Sequence, residues 1–301
     1  MIEIFIFLGL GIAMLIKSSS KLIDSLTKIS DSFGISRFYL GFLFLALLTS
    51  LPELSIAFFS GIEKLTSLSF GNLIGASIAN LYLVLPLASL AYPLKIKRAF
   101  LKKYFFILAI IFFLALYGMI YGFDSNFGFL GIITFLLLAE QAGERIEEGT
   151  KKRDGRKIKK LVFLSFLYSI LLVESALLIV ECVKIIVNAT GISSLWLGAC
   201  LLGIATTLPE FTVELEALRM GRHRIAFGNA VGSAFVNLTF ILGILAILSP
   251  FRISGPSFSI LLCFFAFYLL FLALLFWKER IDRMESLILI LIYFLFVIIF
   301  L

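Results

Sequence analysis

The chain has 301 residues, of which 61% are hydrophobic and only 15% are charged, and its mean hydropathy is +1.11. Soluble domains are about 45–50% apolar and about 25% charged, so this composition excludes soluble enzymes, nucleic-acid-binding proteins and secreted disulfide-rich proteins. The net charge of +7 arises from Lys and Arg in short loops between apolar runs, which is typical of membrane topology rather than of nucleic-acid binding. A spanning helix needs about 20 apolar residues, so this length accommodates about ten. We therefore predict an all-α polytopic membrane protein.

The apolar runs predict ten transmembrane helices, with ends defined to within a few residues. In chain order they cover residues 2–30, 37–62, 66–93, 101–122, 127–146, 159–188, 194–219, 224–249, 256–277 and 284–301. Clusters of Lys and Arg follow the third, fifth, seventh and ninth runs, whereas the other loops carry few charges. Positively charged loops face the cytoplasm. We thus predict a multi-pass protein of the cell (plasma) membrane, with both termini outside and the basic loop 147–158 inside.

One sequence block occurs twice, offset by 157 residues, as from Glu53 to Glu210. Because an odd number of spans separates the copies, the second copy crosses the membrane in the opposite direction. We predict two five-helix repeats of inverted topology, residues 1–146 and 159–301, an arrangement typical of secondary transporters. The matching segments are Gly34-Ile35-Ser36 with Gly191-Ile192-Ser193, Thr49–Glu53 with Thr206–Glu210, and Phe70–Asn80 with Phe227–Asn237.

Each copy contains one glutamate inside a long apolar run, directly after a proline. A carboxylate at this depth is costly and is by default a functional residue. Pro52 and Pro209 each remove one helical hydrogen bond and free a carbonyl one turn earlier. Glu53 and Glu210 are therefore predicted to lie on bent helices that offer carboxylate and carbonyl oxygens.

Further oxygens recur in register with the two glutamates. Residues four and seven positions before each glutamate share its helix face. Hard cations such as Ca²⁺ and Na⁺ take oxygen ligands of this kind. Thiolate and imidazole are missing from the set, which argues against zinc or copper. The residues are Ala46, Thr49, Gly203 and Thr206, joined by the intramembrane amides of Asn80 and Asn237.

The two blocks resemble the α-repeats of the calcium:cation antiporter superfamily, in its prokaryotic sodium/calcium exchanger-like branch. The motif G-T-S-x-P-E corresponds to Leu48–Glu53 and Ala205–Glu210, and G-N-x-x-G-S-x-x-x-N matches Gly71–Asn80 and Gly228–Asn237. The resemblance covers nearly the whole chain. It implies bidentate Ca²⁺ binding by Glu53 and Glu210. It further implies a cation-binding set formed by Thr49, Ser50, Thr206, Thr207, Ser233, Asn80, Asn237 and the carbonyls of Ala46 and Gly203.

This chain departs from the family pattern at several places near the site, among them Leu48 and Ala205 for the motif's glycine and Thr207 for its serine, and it has one acid that its own first repeat lacks. Ala76 replaces the family's serine in the first repeat, although Ser77 follows it and is a candidate vestibule residue. Glu214 lies one turn beyond Glu210, whereas the first repeat has Ala57 at that position. Glu214 either lines the inner approach to the site, with a proton-linked step as one possibility, or pairs with a nearby arginine. We expect Glu216 to pair with Arg219 or Arg222.

The predicted function is Ca²⁺/Na⁺ antiport by alternating access, with H⁺/Ca²⁺ exchange as the alternative. Relatives that prefer protons replace the Pro-Glu motif, and this chain keeps it in both copies, which favours sodium. A passive cation channel or a structural membrane subunit is less consistent with polar residues concentrated at one depth. No enzymatic activity and no cofactor are predicted. The expected partners are Ca²⁺, Na⁺ (H⁺ for the alternative function) and the lipid bilayer, without nucleic acid or an obligatory protein partner.

Overall fold

The computed structural model describes residues 2–33, 46–142, 155–190, 193–253 and 256–300, which contain ten helical segments. These correspond one to one with the ten predicted spans. They are α1 (Ile2–Phe33), α2 (Ala46–Thr49 and Leu51–Ile62), α3 (Thr66–Ala91), α4 (Arg98–Tyr121), α5 (Ser125–Ala142), α6 (Gly155–Thr190), α7 (Ser194–Arg219), α8 (His223–Leu248), α9 (Pro256–Lys278) and α10 (Arg283–Phe300).

Most predicted boundaries agree with the helices to within a few residues. The clearest difference is α6, which begins at Gly155, so the last residues of the predicted loop 147–158 are helical. The earlier part of that loop, the repeated Gly34-Ile35-Ser36 and the start of the second predicted span lie outside the described residues.

The helices divide into a buried centre and an apolar periphery. By length and composition, α3, α4, α7, α8 and α10 can each cross a membrane. Most of α3 and α8 is buried inside the bundle, whereas most of α4 and α10 is not. Large apolar side chains such as Phe106, Phe113 and Leu291 are exposed on these outer helices. Apolar surface of this extent indicates contact with lipid.

Helices of one repeat pack mainly against helices of the other. Extensive contacts pair α1 with α6, α3 with α7, α5 with α8, α4 with α9 and α10 with α3. Two short antiparallel contacts join the connecting segments: β1 (Leu94–Lys95) pairs with β2 (Arg280–Ile281), and Phe123 pairs with Phe251. The loops after α3 and α9 thus lie on one side of the bundle and those after α4 and α8 on the other, as inverted repeats require.

Glycines allow α3 and α7 to touch along their backbones. A Cβ atom on Gly75 would lie 2.1 Å from the carbonyl oxygen of Ala199, and one on Gly198 would lie 2.2 Å from that of Leu68. No side chain can occupy such a space, so close packing of membrane helices here depends on glycine.

The helices that carry the repeated motifs are irregular at matching positions. In α2 the helix is interrupted at Ser50 (φ −83°, ψ 9°), and in α7 at Thr207 (φ −86°, ψ 2°). In α3 and α8 the turns widen to π-helix over Asn80–Val84 and Val236–Ile241. Widened turns are frequent at functional sites because they redirect side chains and expose carbonyls.

Candidate cation-binding site

Glu53 and Glu210 meet at the centre of the bundle. Each lies in the first turn of the helix that follows the interruption, and both are completely buried. The two carboxylates are close enough to interact electrostatically. Each is favoured by the partial positive charge of the helix N-terminus on which it lies. The structure therefore brings together the two acidic residues that the sequence singles out, one from each repeat.

The Ser233 hydroxyl joins the two repeats beside Glu210. Its Oγ lies 2.8 Å from the Oγ of Ser50 and donates to Oε1 of Glu210 at 2.9 Å. All three side chains are buried. A hydroxyl that donates to a carboxylate still has lone pairs, so Ser233 can contribute to a shared cation site without releasing Glu210.

A second contact between the repeats involves the threonines of the two motifs. The Thr206 hydroxyl donates to Oδ1 of Asn72 at 3.3 Å. Thr206 also lies beside the Glu53 carboxylate, and Thr49 lies beside Glu210. Each glutamate is thus adjacent to a threonine of the opposite repeat, so both repeats form the surroundings of each carboxylate.

Several buried oxygens of the predicted site residues have no hydrogen-bond partner among the described residues. They are both carboxylate oxygens of Glu53, Oε2 of Glu210, and Oδ1 of Asn80 and Asn237. Buried polar atoms in proteins are almost always hydrogen-bonded, so a group of unpartnered acceptors indicates a ligand. Carboxylate and amide oxygens are ligands that hard cations prefer. This donor set fits Ca²⁺ and Na⁺.

The two predicted backbone ligands differ in their surroundings. The Ala46 carbonyl accepts the Ser50 N–H at 3.0 Å and the Thr49 hydroxyl at 3.3 Å. In the second repeat, the Thr207 N–H donates at 3.3 Å to Ile204 rather than to Gly203. The Gly203 carbonyl therefore lacks the N–H donor that the Ala46 carbonyl has from the matching position.

Two further predicted hydroxyls, like that of Thr49, donate to carbonyls of their own helices. The Thr207 hydroxyl donates to the Ile204 carbonyl at 2.9 Å, unlike its counterpart Ser50, because Ala76 offers no hydroxyl in the place that Ser233 occupies. The Ser77 hydroxyl donates to the Leu73 carbonyl at 2.7 Å. Ser77 therefore does not replace the hydroxyl that is missing at Ala76.

The two additional glutamates of α7 have different environments. Glu216 is exposed and forms an ion pair with Arg219 at 2.6 Å, which confirms that expectation. Glu214 is completely buried and accepts a hydrogen bond from Nδ2 of Asn229 at 3.2 Å, not from an arginine.

The asparagines of the Gly-Asn pairs are functional candidates that the motif comparison left aside. Asn72 contacts Thr206, and Asn229 contacts Glu214. Both are completely buried. They recur at the same offset of 157 residues as Asn80 and Asn237, so the internal repeat marks all four asparagines as candidates.

Two inverted five-helix halves that bury carboxylates from both halves at a common centre define a secondary transporter of cations. The sequence matches the family model described as sodium/calcium exchanger protein over residues 3–139 and 160–301. The chain therefore belongs to the sodium/calcium exchanger family.

Individual relatives support this assignment along most of the chain. The sodium/calcium exchanger MaX1 of Methanosarcina acetivorans is 25% identical over 84% of this chain and 85% of its own. The uncharacterized membrane protein MJ0091 of Methanocaldococcus jannaschii is 30% identical over 80% of both chains. The solved structure of the sodium-calcium exchanger NCX_Mj, soaked with 10 mM Na⁺ and 10 mM Sr²⁺, has the same fold, with a TM-score of 0.75, 24% identity and 98% coverage of both chains.

Proposed function

We propose that this protein is a secondary active antiporter that exchanges Ca²⁺ for Na⁺ across the plasma membrane by alternating access. The observation that carries the proposal is the set of buried, unpartnered oxygens that both repeats contribute, from Glu53 and Asn80 and from Glu210 and Asn237. Two carboxylates balance the charge of one Ca²⁺, and the surrounding amide and hydroxyl oxygens supply neutral ligands. Na⁺ uses oxygens of the same kind, so the two ions compete for one centre.

Inverted symmetry supports alternating access. The motifs of α2 with α3 and of α7 with α8 run through the membrane in opposite directions and converge on the same carboxylates. A site at the interface of such repeats can open to either side by equivalent movements of the two halves. We propose that the loops after α3, α5, α7 and α9 are cytoplasmic and that both termini are outside. The pairing of β1 with β2 and the contact of Lys95 N–H with His223 Nδ1 (3.4 Å) support a common side for three of these loops.

H⁺/Ca²⁺ exchange is the second candidate, and the buried Glu214 is the observation that favours it. A third carboxylate near Glu210 provides a group that can take up a proton when Ca²⁺ leaves and release it when Ca²⁺ binds. The retained Leu-Pro-Glu motifs and the hydroxyls beside both glutamates favour sodium instead.

Uptake of radiolabelled Ca²⁺ into proteoliposomes separates these functions. We expect uptake when an outward Na⁺ gradient is imposed with the membrane potential clamped, and none when a pH gradient is imposed alone. Uptake that follows the pH gradient and ignores Na⁺ would contradict the proposal. Ca²⁺ entry without any counter-ion gradient would indicate a passive channel. Glu53→Gln protein, reconstituted at the same density, provides the control for leakage.

A further inference from the structure

Glu214 is a buried acid that the central site does not require. It lies on α7 one turn after Glu210, and its side chain is completely inaccessible. Ala57 occupies the matching position of the first repeat, so the symmetric centre is complete without it. An ionised carboxylate in this environment has a high free-energy cost unless a partner compensates its charge.

Helices α7 and α8 form two parallel contacts around the two acids. Ser233 donates to Oε1 of Glu210 at 2.9 Å, and Asn229 donates to Oε1 of Glu214 at 3.2 Å. Glu210 and Glu214 are one turn apart on α7, and Asn229 and Ser233 are one turn apart on α8. Residues four apart share a helix face, with about 5–6 Å between their Cβ atoms. The second oxygen of each carboxylate, Oε2, has no hydrogen-bond partner in the part of the chain that the structure describes.

Two neutral oxygens lie beside this pair. Oδ1 of Asn229 and the hydroxyl of Tyr268 on α9 are buried and lack partners among the described residues. Tyr268 is close enough to Glu214 to interact with it electrostatically. Its ring packs edge-on against Tyr82, with 5.2 Å between centroids, and this contact holds the tyrosine in position. Four buried, unpartnered oxygens of three chemical types thus belong to Glu214 and its neighbours.

The unpartnered oxygens favour a cation over a shared proton. A proton held between two carboxylates requires a direct O–H···O contact of about 2.5–2.7 Å. In the described structure the Oε2 atoms of Glu210 and Glu214 are not hydrogen-bonded to each other or to any other residue. A cation can bridge them without such contact, and one additional carboxylate matches one additional positive charge.

We propose that Glu210, Glu214, Asn229 and Tyr268 form a Na⁺ site beside the central one, displaced toward the turn between α7 and α8. This inference rests on the proposed function in one respect, because Glu210 is shared with the Ca²⁺ site. Na⁺ that enters or leaves through this end of α7 binds here in sequence with the centre. All four residues belong to the second repeat. The path from the centre toward the α7–α8 turn therefore contains a site that the path to the opposite side of the membrane lacks.

Direct binding of radiolabelled Na⁺ to the purified full-length protein in lipid nanodiscs, without Ca²⁺, tests the site. We expect Glu214→Gln to bind one Na⁺ fewer per chain while Ca²⁺ affinity is largely retained. Glu216→Gln is the matched control, because Glu216 is exposed and pairs with Arg219. Its Na⁺ count should equal that of the unmodified protein.

Tyr268→Phe provides a second test that keeps the shape of the core. Loss of one neutral ligand should weaken one class of Na⁺ sites by about tenfold without changing their number. An unchanged Na⁺ count in folded Glu214→Gln together with unchanged affinity in Tyr268→Phe would overturn the site. An unchanged count accompanied by loss of a proton released on Ca²⁺ binding, followed with a pH indicator, would assign Glu214 to a proton instead. Since binding is measured without a gradient, a failure of Na⁺-driven uptake leaves this result unaffected.

Discussion

Replacement of Ser233 with alanine removes the hydroxyl that connects the two repeats at Glu210. The side chain is completely buried, and its Oγ is 2.8 Å from Ser50 and 2.9 Å from the Glu210 carboxylate. The first repeat already carries alanine at the matching position, Ala76, so the fold accommodates the smaller residue. The variant therefore changes the chemistry of the site more than its packing.

The contact with the carboxylate determines the size of the effect. Hydrogen bonds to charged groups contribute about 1.5–3 kcal/mol, and each 1.4 kcal/mol changes an equilibrium constant about tenfold. We expect Ca²⁺ affinity in Ser233→Ala to fall by about 10- to 100-fold. The contact with the neutral Ser50 hydroxyl contributes about 0.5–1.5 kcal/mol to the free energy of unfolding, so the melting temperature should fall only slightly.

Initial rates of radiolabelled Ca²⁺ uptake at a series of Ca²⁺ concentrations, in proteoliposomes loaded with Na⁺, measure the apparent affinity. Ser77→Ala is the matched control because its hydroxyl donates only within α3, to the Leu73 carbonyl. It should retain the affinity of the unmodified protein. If folded Ser233→Ala also retains that affinity, the Ser233 hydroxyl does not contribute to cation binding and the reasoning from its contacts is refuted.

The remaining predictions concern the carboxylates and the helix packing. Glu53→Gln and Glu210→Gln should each abolish Na⁺-driven Ca²⁺ uptake at unchanged expression and melting temperature, because each removes one of the two charges that balance Ca²⁺; near-normal uptake in either variant would disprove the site. Gly75→Ala should lower the free energy of unfolding by at least about 1–3 kcal/mol, and with it the melting temperature, since its Cβ would lie 2.1 Å from the Ala199 oxygen. Gly9→Ala, where no atom lies within 4 Å of the added Cβ, is the control and should melt like the unmodified protein.

The number of helices and their inversion could be predicted from the sequence. Runs of about 20 apolar residues have few structures available in a membrane, and the offset of 157 residues relates one half to the other. Glu53 and Glu210 could be identified for the same reason, because a carboxylate in an apolar run is conspicuous. These features depend on composition and spacing alone, which the sequence records directly.

The contacts that complete the site could not be predicted in this way. The Thr206–Asn72 hydrogen bond joins residues 134 positions apart, and its existence depends on how closely α3 and α7 approach. The π-helical turns that begin at Asn80 and Val236 have no characteristic residue composition, so the sequence does not reveal them. Thr207 and Ser50 occupy equivalent positions but differ in partner, because the opposing residue is Ala76 in one case and Ser233 in the other. Each outcome follows from the shape of the assembled bundle.

The interlocking of the two repeats has a consequence for biosynthesis. Ser50 meets Ser233 across 183 residues of chain. At about 5–20 residues per second, a ribosome needs about 10–40 s to synthesise that interval. Throughout this time Glu53 and Asn72 reside in the membrane without the residues that later surround them. The polar groups of the first repeat therefore lack their final partners until α7 and α8 have been synthesised and inserted.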